Sequence, residues 1–76
     1  MKEVVAGVDI GGTNTVFGLV DRDGNILAEN RICTSSYPEI DDFVSILSNS
    51  IIRLKSDIRD IKLIGIGVGA EGVEGW

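Results

Sequence analysis

The sequence predicts an α/β domain: a mixed β-sheet with the element order β-β-β-α-β. Three observations carry that prediction. Three apolar runs of strand length follow one another from the start, separated by short turn-forming stretches. Apolar residues then recur every three or four positions across residues 40–58, the spacing of one helix face. After them "IKLIGIGVG", residues 61–69, returns to a strand-like pattern.

The first run, "VVAGVDI", is valine-rich and has no polar alternation until Asp9, which suits a central strand covered on both faces. The second is "TVFGLVD". The "DRDGN" after it contains Asp23-Gly24, a strong signal for a tight hairpin turn. Its spacing does not fit a calcium loop, because no glutamate closes it at the required distance. The third run, "NILAENRICT", places Ile26, Ala28 and Ile32 on one face and Leu27, Glu29, Arg31 and Cys33 on the other. Charge on a strand face discourages pairing with other chains, so this reads as an edge strand.

The helix stripe consists of Ile40, Phe43, Val44, Leu47, Ile51, Leu54 and Ile58. Ser36 is placed to cap it, with Pro38 in the first turn and Glu39 completing a capping box. Asp41, Asp42, Ser45, Ser48 and Asn49 form the solvated side, and the early acids oppose the positive end of the helix dipole. A helix of this length permits a crossover that makes the fourth strand parallel to the third. The expected strand order is 3-2-1-4. One helix covers one face only, yet the first and fourth strands read as buried on both sides. Residues 1–76 therefore read as a single partial domain, with an unsatisfied sheet face that favours a homo-oligomer.

Composition excludes several classes. A chain of 76 residues is at most one small domain, and one of that size buries only about 60% of its unfolded surface. The single cysteine, Cys33, rules out an internal disulfide, and no histidine exists to activate it or to bind zinc. Twelve acidic residues against seven basic give a net charge of −5, which argues against nucleic acid and anionic membrane as partners. The opening "MKEVVAGVDI" is too short and too glycine-broken for a signal peptide or a membrane span, so a cytoplasmic setting is expected.

Between the first two runs lies "DIGGTNT", residues 9–15. Gly11 and Gly12 allow a backbone whose N–H groups converge on an anion, since no Cβ blocks approach. Thr13 and Thr15 add hydroxyl donors, and Asn14 adds an amide. Asp9 cannot hold phosphate, but it can hold a magnesium ion, or that ion's water, beside a polyphosphate. This is not a Walker loop, because no GK[ST] is present and no helix follows. Residue chemistry alone leaves two readings open: a magnesium-nucleotide loop, or a plain hairpin with glycine in its turn. Gly67, Gly69 and Gly72 spell GxGxxG, but a dinucleotide site needs a helix after it, and only "VEGW" follows.

"DIGGTNTVFGLVD", followed by a strand, a helix and "IGIGVGA", resembles the amino-terminal segment of the ROK family (repressors, open reading frames and sugar kinases), in particular its glucokinase-like members. The resemblance covers residues 4 to 70 and implies the first part of an actin-like/ribonuclease H-like ATPase domain. It further implies an ATP-dependent sugar kinase that uses ATP and Mg2+ on a glucose-like sugar. Gly11, Gly12, Thr13, Asn14 and Thr15 then fall at the ATP phosphates, and Asp9 falls beside the magnesium. Two departures stand out. Val16 occupies a place where many relatives carry lysine, and residues 71–76, "EGVEGW", replace the loop that leads toward the sugar. The family's catalytic aspartate, its sugar-binding glutamate and histidine, and its zinc cysteines are all expected downstream of these residues. Catalysis by this chain alone is therefore not expected. A sugar-sensing regulator of the same family carries a DNA-binding unit ahead of the loop, whereas only eight residues precede Asp9 here.

Overall fold

The computed structural model describes residues 1–70. Strands β1 (Lys2–Ile10), β2 (Asn14–Asp21) and β3 (Ile26–Cys33) form an antiparallel meander. A 3-10 turn at Thr34–Ser36 and helix α1 (Ile40–Ser56) lead to β4 (Ile61–Ala70), which pairs parallel to β1. The strand order is β3-β2-β1-β4, as the sequence predicts, with the charged β3 at one edge.

The β2–β3 turn forms where Asp23-Gly24 places it. Gly24 has φ +84°, a conformation that suits a residue without Cβ. The Asp21 carboxylate accepts the N–H groups of Asp23 and Asn25 at 2.9 Å each, and Lys2 Nζ lies 3.5 Å away. These donors, the Asn25 amide foremost, hold the Asp21 carboxyl below its ordinary range.

Helix α1 covers one face of the sheet. Val4, Ala6 and Val8 of β1, Phe17 and Leu19 of β2, Ile51 of α1 and Ile61 of β4 are buried together there. Ile58 also packs against this core, from beyond the helix end. Among the described residues nothing covers the other face, so the expected burial of β1 and β4 on both sides is not met. Val5, Gly7 and Asp9 alternate with the buried residues of β1 and are all exposed. The reason is simple stoichiometry: one helix can cover one side.

Three further expectations are corrected. Ile40 and Val44 lie on the predicted stripe but are 70% and 51% exposed, whereas Phe43 between them is buried. The capping box does not form: Glu39 itself is the N-cap residue and no side chain caps the helix. Ser36 is held instead in the 3-10 turn, which the Thr34 N–H fastens to the Thr13 carbonyl at 2.8 Å. Tyr37, at φ −127° and ψ 72°, stays out of the helical region as a residue before proline does, and the helix starts after Pro38. Finally, Leu19 pairs with Ala28 but Val20 pairs with Ile26, leaving Leu27 as an extra residue. This bulge reverses the phase of the strand. Leu27 joins Ile32 against the core, and Ile26 turns to the bare face, 61% exposed.

Candidate functional site

The β1–β2 hairpin puts the predicted loop at the carboxyl end of β1. Ile10 and Thr15 are the last registered pair, and the Gly11 N–H closes the ladder on the Asn14 carbonyl at 3.0 Å. Gly12 and Thr13 therefore form a two-residue tip, and Gly12, Thr13 and Asn14 are all exposed. The Gly11 amide is used in closing the loop. Its base is fixed from the side. Besides the Thr34 N–H on the Thr13 carbonyl, the Thr15 and Thr34 hydroxyls meet at 2.6 Å.

That contact changes the role of one predicted residue. Thr15 is fully buried on the α1 side, its hydroxyl paired with that of Thr34. It is a positioning residue that pins the hairpin to the 3-10 turn, and it is not presented as a phosphate donor. Nothing in the local pattern "TNT" distinguishes the two threonines. The two-residue alternation of β2 does, because Thr15 shares its face with Phe17 and Leu19.

Asp9 is placed differently. It sits on the bare face between Val16 of β2 and Gly69 of β4, exposed, and its carboxylate makes no hydrogen bond or ion pair with the described residues. An apolar hollow of about 480 Å³ opens beside it, with Gly7, Gly18 and Gly67 in register across its floor and Val16 and Val20 on its wall. Among the described residues no group of three acidic, cysteine or histidine side chains gathers to hold a metal. A lone exposed carboxylate suits magnesium that takes its remaining ligands from water and phosphate oxygens. Gly67 and Gly69 lie within β4 itself, so they do not form a dinucleotide loop, and Gly72 is outside the described residues, as are Trp76 and the tail at 71–76. Cys33 is exposed beside the loop, and the Ser35 hydroxyl, 3.3 Å from Sγ, lowers its thiol.

A sequence profile of the ROK family matches residues 5–73. This chain belongs to the ROK family. It is 37% identical over 68 residues to the glucokinase of Streptomyces coelicolor, a match covering 87% of this chain and 19% of that protein. The glucokinase of Streptomyces lividans matches with the same figures. A crystal structure described as that of a sugar kinase from Cytophaga hutchinsonii superposes with a TM-score of 0.67 at 30% identity. That superposition covers 92% of this chain and 23% of the other. The ROK segment thus has the fold of the first part of an actin-like ATPase domain, and spans about a fifth of the length of the relatives it matches.

Proposed function

We propose that residues 1–76 are the phosphate-binding segment of an ATP-dependent, glucokinase-like sugar kinase. The observation that carries this reading is the exposed, unpartnered Asp9 at the carboxyl end of a central strand, next to the solvent-facing tip Gly12-Thr13-Asn14. In open α/β sheets the crevice outside the carboxyl ends of parallel strands is where ligands bind, and β1 and β4 form such a pair here.

The roles then divide by geometry. Asp9 holds the magnesium side of a nucleotide. The exposed tip offers the Asn14 amide and the Thr13 hydroxyl to phosphate oxygens, and the absent Cβ of Gly12 keeps the approach short. Thr15 and Thr34 hold the hairpin at its base. Magnesium, when bound, spreads the negative charge that develops on a phosphoryl group in transfer. Taking the proton from a sugar hydroxyl requires a carboxylate base, and the family resemblance expects that group outside these residues. The 76-residue chain alone is therefore a binding segment without turnover.

Two measurements test this reading. Amide resonances of Gly12 to Asn14 are expected to shift on adding ATP with Mg2+, and Asp9→Asn to weaken the magnesium-dependent part about tenfold. Shifts confined to other regions, or an Asp9→Asn chain that binds as before, refute the assignment. A coupled assay is expected to show no sugar-dependent ADP release from this chain, and turnover there refutes the division of roles.

A further inference from the structure

The turn that follows β3 touches the β1–β2 hairpin at two points. The Thr34 N–H donates to the Thr13 carbonyl at 2.8 Å, and the Thr34 and Thr15 hydroxyls meet at 2.6 Å. Asn14 and Cys33 are the last registered pair of β2 and β3. The bond from Thr34 to Thr13 therefore carries that ladder one residue further, into the tip itself. On its other side the tip is closed by the Gly11 N–H on the Asn14 carbonyl at 3.0 Å. Thr34 is thus joined to both threonines of "TNT", although it belongs to a different element.

Burial decides which hydroxyl donates. A threonine hydroxyl has one proton and two acceptor lone pairs. Thr15 is 0% exposed, and its hydroxyl has no other hydrogen bond among the described residues, so its proton goes to Thr34 Oγ1. Thr34 is half-buried and keeps its own proton for water. The two ends of the bond therefore differ. Removing the Thr34 oxygen strands a buried donor, whereas valine at Thr15 removes that donor and keeps the shape of the side chain.

We infer that Thr34 is a positioning residue of the nucleotide site: its amide and hydroxyl hold Gly12, Thr13 and Asn14 in the arrangement that meets the phosphates of a magnesium-bound nucleotide. This role rests on the nucleotide reading of Asp9 and the tip. Its physical basis is the freedom of the tip. Gly11 and Gly12 have no Cβ to restrict the backbone, so a hairpin held by β1 and β2 alone leaves the tip more shapes to sample. Ordering them at the moment of binding costs affinity, and ordering them beforehand avoids that cost. Thr34 meets Thr15 on the α1 side of the sheet, whereas Asp9 lies on the opposite face. It therefore acts only through Thr13 and Thr15, and is not itself a phosphate contact.

Titration with ATP and Mg2+, read at the tip amides by NMR, tests this role. Thr34→Val is expected to weaken binding at least about fivefold and to lower Tm. Thr34→Ser, which keeps the hydroxyl, is expected to bind within about twofold of the unaltered chain. Thr15→Val is expected to weaken binding by a similar factor to Thr34→Val while Tm holds or rises, a split that a merely structural role does not produce. It also decides the matter should Thr34→Val fail to fold. If the unaltered chain shows no tip shifts, the nucleotide reading falls and the role of Thr34 falls with it. If the unaltered chain binds and either valine variant binds equally well, the role of Thr34 alone is overturned. Thr34→Ser binding as weakly as Thr34→Val overturns it too, as does a Thr15→Val chain whose Tm and binding fall together.

Discussion

Gly24 and Gly7 show how one residue type meets opposite demands. Gly24 sits at φ +84°, where a Cβ collides with the following carbonyl, so Gly24→Ala is expected to cost about 1–2 kcal/mol. A Cβ at Gly7 would meet nothing within 4 Å, and alanine lowers the entropy lost on ordering a strand. Gly7→Ala is therefore expected to be neutral or stabilising by up to about 1 kcal/mol, and urea midpoints of the two variants check the contrast. Asp21 adds a pH signature to the same turn. Its folded-state carboxyl lies below the ordinary value of 3.8. The stability it contributes is thus complete above the unfolded value and is lost as pH falls through the lower folded one. Denaturation followed from pH 6 down to about pH 2 is expected to show an acid limb that Asp21→Asn reduces; an unaltered limb places the acid sensitivity elsewhere.

At the scale of elements, α1 is held by one stripe, and neighbouring isoleucines report on it. Ile51 is 5% exposed in the core and Ile52 is 63% exposed. Ile51→Ala is expected to cost about 2–4 kcal/mol, and Ile52→Ala no more than about 0.5 kcal/mol, by thermal or chemical denaturation. Ser36→Ala is expected to leave α1 intact, since no capping bond is lost. The helix, its solvated acids and the Asp23-Gly24 turn were legible in the sequence because each depends on residues within a few positions of one another. The bulge at Leu27 was not, because one extra residue reverses a period of two without altering composition. The 3-10 turn was equally hidden, since Thr34 is held by Thr13 and Thr15 from another strand. The same non-local contact buries Thr15 against Thr34, whereas Asp9 and the tip residues Gly12, Thr13 and Asn14 are exposed.

For the whole molecule the decisive quantity is thickness. Its principal extents are 36 × 28 × 16 Å, enough for one sheet and one helix, and its radius of gyration is 12.6 Å. A compact body of this length is expected near about 11 Å, so the described residues form a slab rather than a sphere. Such a slab keeps its charges close. Ten acids against seven bases among residues 1–70 lie within a body whose shortest extent is less than the Debye length of about 30 Å that holds at 0.01 M salt. Their mutual repulsion therefore acts across the entire fold at low salt, and at about 0.3 M it is confined to near neighbours. Salt also weakens the pairs Lys2–Asp21 and Arg22–Glu3, but each has a largely exposed partner, and exposed pairs contribute little. Repulsion is the larger effect, and its removal should raise Tm by about 2–6 °C, equivalent to about 0.5–1 kcal/mol for a domain this small. Calorimetry compares about 0.01 M with about 0.3 M sodium chloride. A falling Tm would mean that attractive pairs outweigh the net charge, and the slab's acidity would then carry no stability consequence.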